Sequence, residues 1–185
     1  LADKFGVDTA HGDRVTKVAT TLFEQWLGLA CGHTLADAPR HLRTLQWAAR
    51  LHEIGSHISH SDYHKHGAYI LDNADAMGFS ISEMHRLSLL VLGHRGKLRK
   101  IESFLQEPGL AAQLLALRLA VILCHARRDP DLQGLSLEGA DLRCNSLLLR
   151  CRNGWAETYP QSTHLLREEV LAWQRTDTPL DLVGF

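Results

Sequence analysis

The sequence predicts a mainly α protein: a helical bundle over residues 1–128, then a small α+β subdomain over residues 129–185. Three observations carry this. Apolar residues recur three and four apart from Val15 to Cys124, as on helices that bury one stripe. Beyond Asp129-Pro130 the texture changes to short apolar runs separated by Gly and Asn, which read as strands and turns. A chain of 185 residues is also long enough to bury a substantial core.

Val15, Val18, Ala19, Leu22, Phe23, Trp26 and Leu27 form the stripe of a first helix from about Asp8 to Ala30, ended near Gly28 to Gly32. Asp37 is the expected N-cap of a second helix, with Pro39 in its first turn and Leu42, Leu45, Ala49 and Leu51 on its face. Gly55 is expected to stop it, which puts His52 and Glu53 in its last turn. After the loop 56–61, Asp62 is the N-cap of a third helix through Tyr69 and Ile70, broken at Gly78. Ser80 and Glu83 have capping-box spacing for a fourth helix through Met84, Leu87 and Val91. A short helix is expected over Leu98–Leu105, closed by Pro108-Gly109, and a long apolar one over Leu110–Arg127. Strands are expected at Leu135–Leu137, Asp141–Cys144, Leu147–Cys151 and Leu180–Val183. A helix from Pro160 carries Leu165, Leu166, Val170 and Trp173.

Composition excludes some functions. The 20 basic and 21 acidic residues nearly cancel, so the chain lacks the basic excess of a dedicated nucleic-acid binder. No apolar run approaches membrane-spanning length, and no signal peptide is expected. Cys31, Cys124, Cys144 and Cys151 form no C-x-x-C pair and no zinc-like spacing, so reduced thiols in a cytoplasmic protein are expected. The opening Leu-Ala-Asp-Lys-Phe, without methionine, suggests a piece of a longer protein. No Gly-rich phosphate loop, G-x-S-x-G motif or Cys/His pair of suitable spacing is present.

The chemistry concentrates in Leu51–His66, where His52, His57, His60, His64 and His66 accompany Glu53. Histidine is costly to bury and useful at anions and metals, so this density points to function. Two basic stretches extend the theme. His64, Lys65 and His66 open the third helix, where backbone N–H groups and cations coincide. His94, Arg95, Lys97, Arg99 and Lys100 follow the fourth. If the two stretches converge, they form an anion-binding rim. Each histidine also has a plainer reading. His52 at a helix C-terminus can bond free carbonyls, with its charged form favoured there by the helix dipole. His85 and His164 read as exposed helix residues, and His33 and His41 as loop or first-turn residues.

The phrases Leu51-His-Glu-Ile-Gly55 and Tyr63-His-Lys-His66 resemble the histidine-aspartate (HD) phosphohydrolase superfamily, and more closely the C-terminal region of the exopolyphosphatase/guanosine pentaphosphate phosphatase family. Phe5-Gly-Val-Asp8 with His11, Leu117-Arg-Leu-Ala-Val121 and the Gly154-Trp155 tail are similar too. The resemblance implies an HD-domain-like bundle whose metal positions would be His11, His52, Glu53 and Val121. Glutamate stands in the aspartate's place, and valine cannot bind metal, so no metal is expected in this set. It further implies a parent hydrolase whose actin-like N-terminal half, absent here, carries Mg2+ and the catalytic groups. This region would bind inorganic polyphosphate or guanosine pentaphosphate, dimerise, and be inactive alone. Under that reading the phosphate-binding candidates are His52, His64, Lys65, His66, Arg95, Lys97, Arg99 and Lys100, with Arg127 and Arg128 as further cationic contacts for a polyphosphate chain. The alternatives are an autonomous metal-dependent HD hydrolase using His11, His52, Glu53 and His94, and a purely structural dimer module.

Overall fold

The structure, a computed structural model, describes residues 1–29, 35–107, 109–140 and 146–185. Its elements run α1 (Thr9–Leu27), α2 (Ala38–Leu51), a 3-10 turn (Ile54–His57), α3 (Tyr63–Asp72), α4 (Ile81–Gly93), a 3-10 segment (Leu98–Phe104), α5 (Leu110–Leu123), β1 (Leu135–Gly139), β2 (Leu147–Cys151), α6 (Trp155–Thr158), α7 (Pro160–Trp173) and β3 (Leu180–Val183). The expected mainly α architecture with a small α+β part is what the chain adopts. The strand expected at 141–144 lies outside the described residues, as do Cys31, His33 and Cys144.

Helix α5 is the centre. It is apolar around its whole circumference, and such a helix is stable only when covered on all sides. Leu110, Leu114, Leu115, Leu117, Leu119 and Leu123 are all buried. Helix α1 packs between α2 and α5, α3 packs on α4, and α7 packs on α5. Two polar residues of α5 are buried with partners. Gln113 Nε2 donates to His41 O (2.6 Å) while its Oε1 accepts from Arg86 Nε (2.8 Å). Arg118 reaches toward α7.

The sheet has the order β1-β2-β3, antiparallel between β1 and β2 and parallel between β2 and β3. The parallel pair needs a crossover, which α6 and α7 supply. Leu137 faces Leu149 across the antiparallel pair, and both are buried, whereas Glu138 and Arg150 pair at 3.0 Å on the outer side. That alternation is the period-two pattern of a sheet with one covered face. The sheet is tied to the bundle where Leu137 N donates to Gln25 Oε1 of α1 (2.9 Å).

Local chemistry explains where elements begin and end. Ser80 and Glu83 form the expected reciprocal capping box. Asp37 and Asp62 do stand at N-cap positions, but in left-handed conformation (φ 53° and 54°), and their carboxylates cap nothing. Aspartate tolerates that region, and the positive φ turns its side chain away from the helix N–H groups. The helix expected over 98–105 is instead a 3-10 segment. Leu98, Ile101 and Phe104 fall three apart, so a helix of three residues per turn aligns all three on one side. Helix α5 stops at Leu123, short of the expected Arg127. His125 Nδ1 donates to Ile122 O (2.8 Å), and Arg127 turns left-handed (φ 54°). His52 and Glu53 likewise lie just beyond α2, with His52 as its C-cap. Among the described residues no helix is long and apolar enough to cross a membrane.

Candidate functional site

Four buried histidines from four elements form a row at one end of the bundle. His11 comes from the first turn of α1, His52 from the C-cap of α2, His94 from the C-cap of α4 and His64 from the first turn of α3. Ring centroids are 5.4 Å apart for His11–His52, 5.3 Å for His52–His94 and 6.4 Å for His94–His64. Tyr63 closes the row, 5.5 Å from His94. None of the four rings is more than 7% exposed.

Glycines make the convergence possible. A Cβ on Gly12 would lie 3.0 Å from Arg50 O, so only glycine lets α1 approach the end of α2 closely enough to bring His11 to His52. At Gly55 a Cβ would meet Tyr63 O at 2.0 Å and Gly67 N at 2.4 Å, so glycine there seats the 3-10 turn on α3 and fixes His64.

Helix ends fix the tautomers. His52 Nδ1 donates to Ala49 O (2.7 Å) and His94 Nδ1 to Val91 O (2.6 Å), each satisfying a carbonyl the helix leaves open. A carbonyl only accepts, so both Nδ1 atoms carry the proton and both Nε2 atoms keep a lone pair. His94 Nε2 accepts a long bond from the Tyr63 hydroxyl (3.4 Å). The plain reading of His52 as a carbonyl-capping residue therefore holds geometrically, but its charged form is not favoured. Burial outweighs the helix end and lowers its pKa, and burial likewise holds His94 well below the ordinary range. His11 is lowered too, first by burial, against the raising influence of Glu53. His64 is lowered to about 4, first by burial and then by the Lys100 and Arg95 charges. Nδ1 of His11 and Nδ1 of His64 are buried without a hydrogen-bond partner among the described residues. Burial thus favours the neutral form of all four rings, and an unpartnered ring nitrogen lies at each end of the row.

The two ends differ. Beside His11 and His52 sits Glu53, and one ligand atom from each of the three lies within 4.8 Å of the others. Arg127 donates to Glu53 (3.0 and 3.2 Å) and to Asp8 (2.8 Å). Arg127, half exposed, thus already has two carboxylate partners within the molecule. Arg128 is exposed, and Val121 is half-buried against the core.

At the other end the two basic stretches do converge in part. The Arg95 guanidinium lies over the Tyr63 ring (4.7 Å), and Lys100 Nζ donates to Arg95 O (2.8 Å). A Cβ on Gly96 would be 3.4 Å from Lys100 Nζ and 3.9 Å from His64 Nε2, so these groups surround that glycine. Lys100 is lowered to about 8, first by burial and then by the Arg118 and Lys65 charges. The backbone N–H groups of Lys65 and His66, expected to be open to an anion, donate to Asp62 O instead (2.7 and 3.3 Å), and Lys65 Nζ pairs with Asp62 (2.8 Å). His66 is half-buried; Lys97 and Arg99 are exposed and make no ion pair among the described residues. His57 and His60 are exposed.

Sequence reasoning missed the group that holds this end in place. Arg118 Nη1 donates to Gly93 O (2.7 Å) and Gly96 O (3.1 Å), while Nε and Nη2 grip Glu169 of α7 (2.5 and 2.7 Å). Glu169 also accepts from Trp173 Nε1 (2.6 Å). An arginine within an apolar run was the available signal, since charge there needs a partner. A groove of about 720 Å³ lined by Trp47, Phe79, Met84 and Leu87 includes none of the four histidines.

Comparison with known proteins places this arrangement. Residues 1–170 match the model of domain III of the Ppx/GppA phosphatases. The chain belongs to the Ppx/GppA phosphatase family. It is 34% identical over 174 residues to the guanosine-5'-triphosphate,3'-diphosphate pyrophosphatase of Pseudoalteromonas translucida, covering 90% of this chain and 33% of that protein. The protein of the same name from Photobacterium profundum is 31% identical over 185 residues, 99% of this chain and 35% of its own. That of Aeromonas hydrophila is 31% identical over 192 residues, 99% of this chain and 36% of its own. The chain thus spans about a third of the length of these Ppx/GppA relatives.

Proposed function

We propose that this domain is the polyanion-holding part of a Ppx/GppA phosphohydrolase acting on guanosine pentaphosphate or inorganic polyphosphate. Hydrolysis would be performed by a Mg2+-dependent region outside these residues, and the parent would be a cytoplasmic homodimer. The observation that carries the reading is the His64–Gly96 end of the row. There the Lys100 ammonium and Nε2 of the buried His64 ring stand 3.4 and 3.9 Å from where a Cβ on Gly96 would lie, and Nδ1 of the same ring has no hydrogen-bond partner among the described residues. Arg95 and Lys65 add charge at the rim.

The chemistry suits a phosphoryl oxygen better than a carboxylate-bearing or neutral ligand. Phosphate offers several acceptors to donors arriving from different directions. The donors at this end are the Lys100 ammonium, the Arg95 guanidinium, the His64 ring and the Tyr63 hydroxyl. Glu53 and Asp8 lie at the other end of the row and are neutralised by Arg127. A chain of phosphates passing over His64 would add contacts to Lys97 and Arg99 on the exposed face. Most of that attraction is between solvent-exposed charges, so it is screened by salt.

Binding of polyphosphate to the 185-residue chain, measured by calorimetry at low and at physiological ionic strength, tests the reading. Affinity is expected to fall with salt and to drop at least tenfold in Arg95→Gln/Lys100→Met. Absence of binding at low salt, or an undiminished affinity in the double variant, would overturn it and favour a purely structural module.

A further inference from the structure

A cleft of about 340 Å³ opens where the end of α5 meets the start of α7, and none of the four row histidines lines it. Leu123, Pro130, Trp155 and Tyr159 give it apolar walls. The aromatic wall is held in place. Trp155 is buried, its Nε1 donates to Asp131 O (3.2 Å), and its ring lies 5.0 Å from that of Tyr159.

The polar lining comes from the N-terminus of α7 and the end of the bundle. Helix α7 begins at Pro160 and has no side-chain cap. Its hydrogen bonding starts at Thr163 N, which donates to Tyr159 O (2.9 Å). The N–H groups of Gln161 and Ser162 precede that bond and are open to a ligand. A second observation marks the same place. Ser162 is 7% exposed and lines the cleft, and its hydroxyl has no hydrogen bond among the described residues. Thr163 beside it, also buried, spends its hydroxyl on Ala156 O (3.2 Å). A buried hydroxyl without a partner asks for one from a bound species. Arg128, exposed and without an ion pair among the described residues, brings a guanidinium to the same cleft. His125 also lines it, and because its Nδ1 donates to Ile122 O (2.8 Å), its Nε2 keeps a lone pair.

We propose that this cleft binds a nucleoside monophosphate, with the phosphate on the N-terminus of α7 and the base against Trp155 and Tyr159. Open amides, a hydroxyl and a guanidinium together match a phosphoryl group. Aromatic walls suit a flat ring. Ligand pockets run from about 300 to 1,000 Å³, so this one is sized for a single ring system with one phosphate, not for a long chain. Charge points the same way. Asp129 and Asp131 line the cleft, paired with Arg14 (3.2 Å) and Arg152 (2.7 Å). Two carboxylates repel a polyanion, whereas their remaining lone pairs accept N–H groups from the edge of a base. The His125 Nε2 lone pair can accept another such N–H or a sugar hydroxyl. The site thus differs in its ligand from the His64 end and stands without it.

Calorimetric titration of the 185-residue chain with the common ribonucleoside 5'-monophosphates tests the proposal, with the nuclear magnetic resonance signal of the Trp155 indole N–H as a local readout. Saturable binding of one nucleotide per chain is expected, with a shift of the Trp155 signal. Inorganic phosphate and the matching nucleoside should each bind at least tenfold more weakly. Arg128→Gln and Ser162→Ala should each weaken the nucleotide about threefold or more. Gln161→Glu, an exposed change, sets a carboxylate on the same helix end. It should weaken binding about tenfold while the thermal midpoint holds or rises, because a negative charge there favours the helix. Arg95→Gln/Lys100→Met, which alters the other end of the molecule's basic surface, should leave nucleotide affinity unchanged. Binding of none of the nucleotides, or equal affinity for inorganic phosphate or for the nucleoside, would overturn the proposal. So would a loss in Arg95→Gln/Lys100→Met with none in Arg128→Gln, which would assign the nucleotide to the His64 end.

Discussion

Replacing Glu169 by alanine should cost more stability than any surface substitution, and the structure sets the size. The Arg118 and Glu169 side chains are 6% and 7% exposed, so the pair is effectively out of water. Glu169 accepts three hydrogen bonds, two from Arg118 and one from Trp173. Its removal leaves a buried guanidinium holding only the Gly93 and Gly96 carbonyls, and a buried indole N–H with nothing. Breaking one side of a buried ion pair costs about 3–5 kcal/mol. An orphaned neutral donor adds about 1 kcal/mol. Partial relaxation makes about 4 kcal/mol a fair expectation, a large share of the roughly 5–15 kcal/mol available to a domain. Urea unfolding followed by far-ultraviolet circular dichroism measures it. Arg118→Met/Glu169→Leu should recover about 2 kcal/mol relative to the sum of the single changes, since it leaves no unpaired charge. A loss below about 1 kcal/mol for Glu169→Ala, or strict additivity in the double variant, would refute the account of this pair. Because Arg118 also grips the Gly93–Gly96 turn, Glu169→Ala should weaken polyphosphate binding without touching the ligand.

Three further outcomes follow from the same geometry. Gly55→Ala would drive a methyl into Tyr63 O and Gly67 N, both backbone atoms, so a loss of about 3 kcal/mol or more in urea unfolding is expected; a change under 1 kcal/mol would contradict the close approach. His64 sits at about 4, below its ordinary 6.5, so the unfolded chain takes up a proton that the native ring does not. Stability should therefore fall as pH drops from about 6.5 toward 4, with His52 and His94 acting in the same direction, and a urea midpoint unchanged between pH 7.5 and 5 would argue against this burial. Lys100 loses its proton near 8, so polyphosphate affinity should decline between pH 7 and 9 in the wild type and stay flatter in Lys100→Arg.

Much of the fold was legible because its signals are local. The Ser80–Glu83 box, the stripe of α1 and the strand at Leu180–Val183 each sit in a few consecutive residues. The errors came where backbone geometry overrides composition. Asp37 and Asp62 look like caps but turn left-handed, and Leu98–Phe104 repeats every three residues, which an α-helix does not satisfy. For the site, the sequence brought forward His52 and His64, and His94 in the basic stretch after the fourth helix, and it named His11 from family resemblance. That these four rings would line up depended on close approaches at Gly12 and Gly55, and no spacing along the chain encodes them. The cations divided for a similar reason. Arg127 and Arg95 are equally basic in the sequence, but one faces two carboxylates and the other faces an aromatic ring and a lysine. Arg118 and Glu169 are 51 residues apart, and their pairing exists only in the folded state.

The account turns on an oxyanion settling at the His64–Gly96 end of the histidine row. Nuclear magnetic resonance of the 185-residue chain, following imidazole and glycine amide signals during polyphosphate titration, tests this directly. The His64 ring and the Gly96 amide should shift first and saturably, and the His64 pKa should rise from about 4 as the anion offsets the Lys100 and Arg95 charges. Shifts confined to other surfaces, with His64 and Gly96 unmoved at saturation, would contradict it.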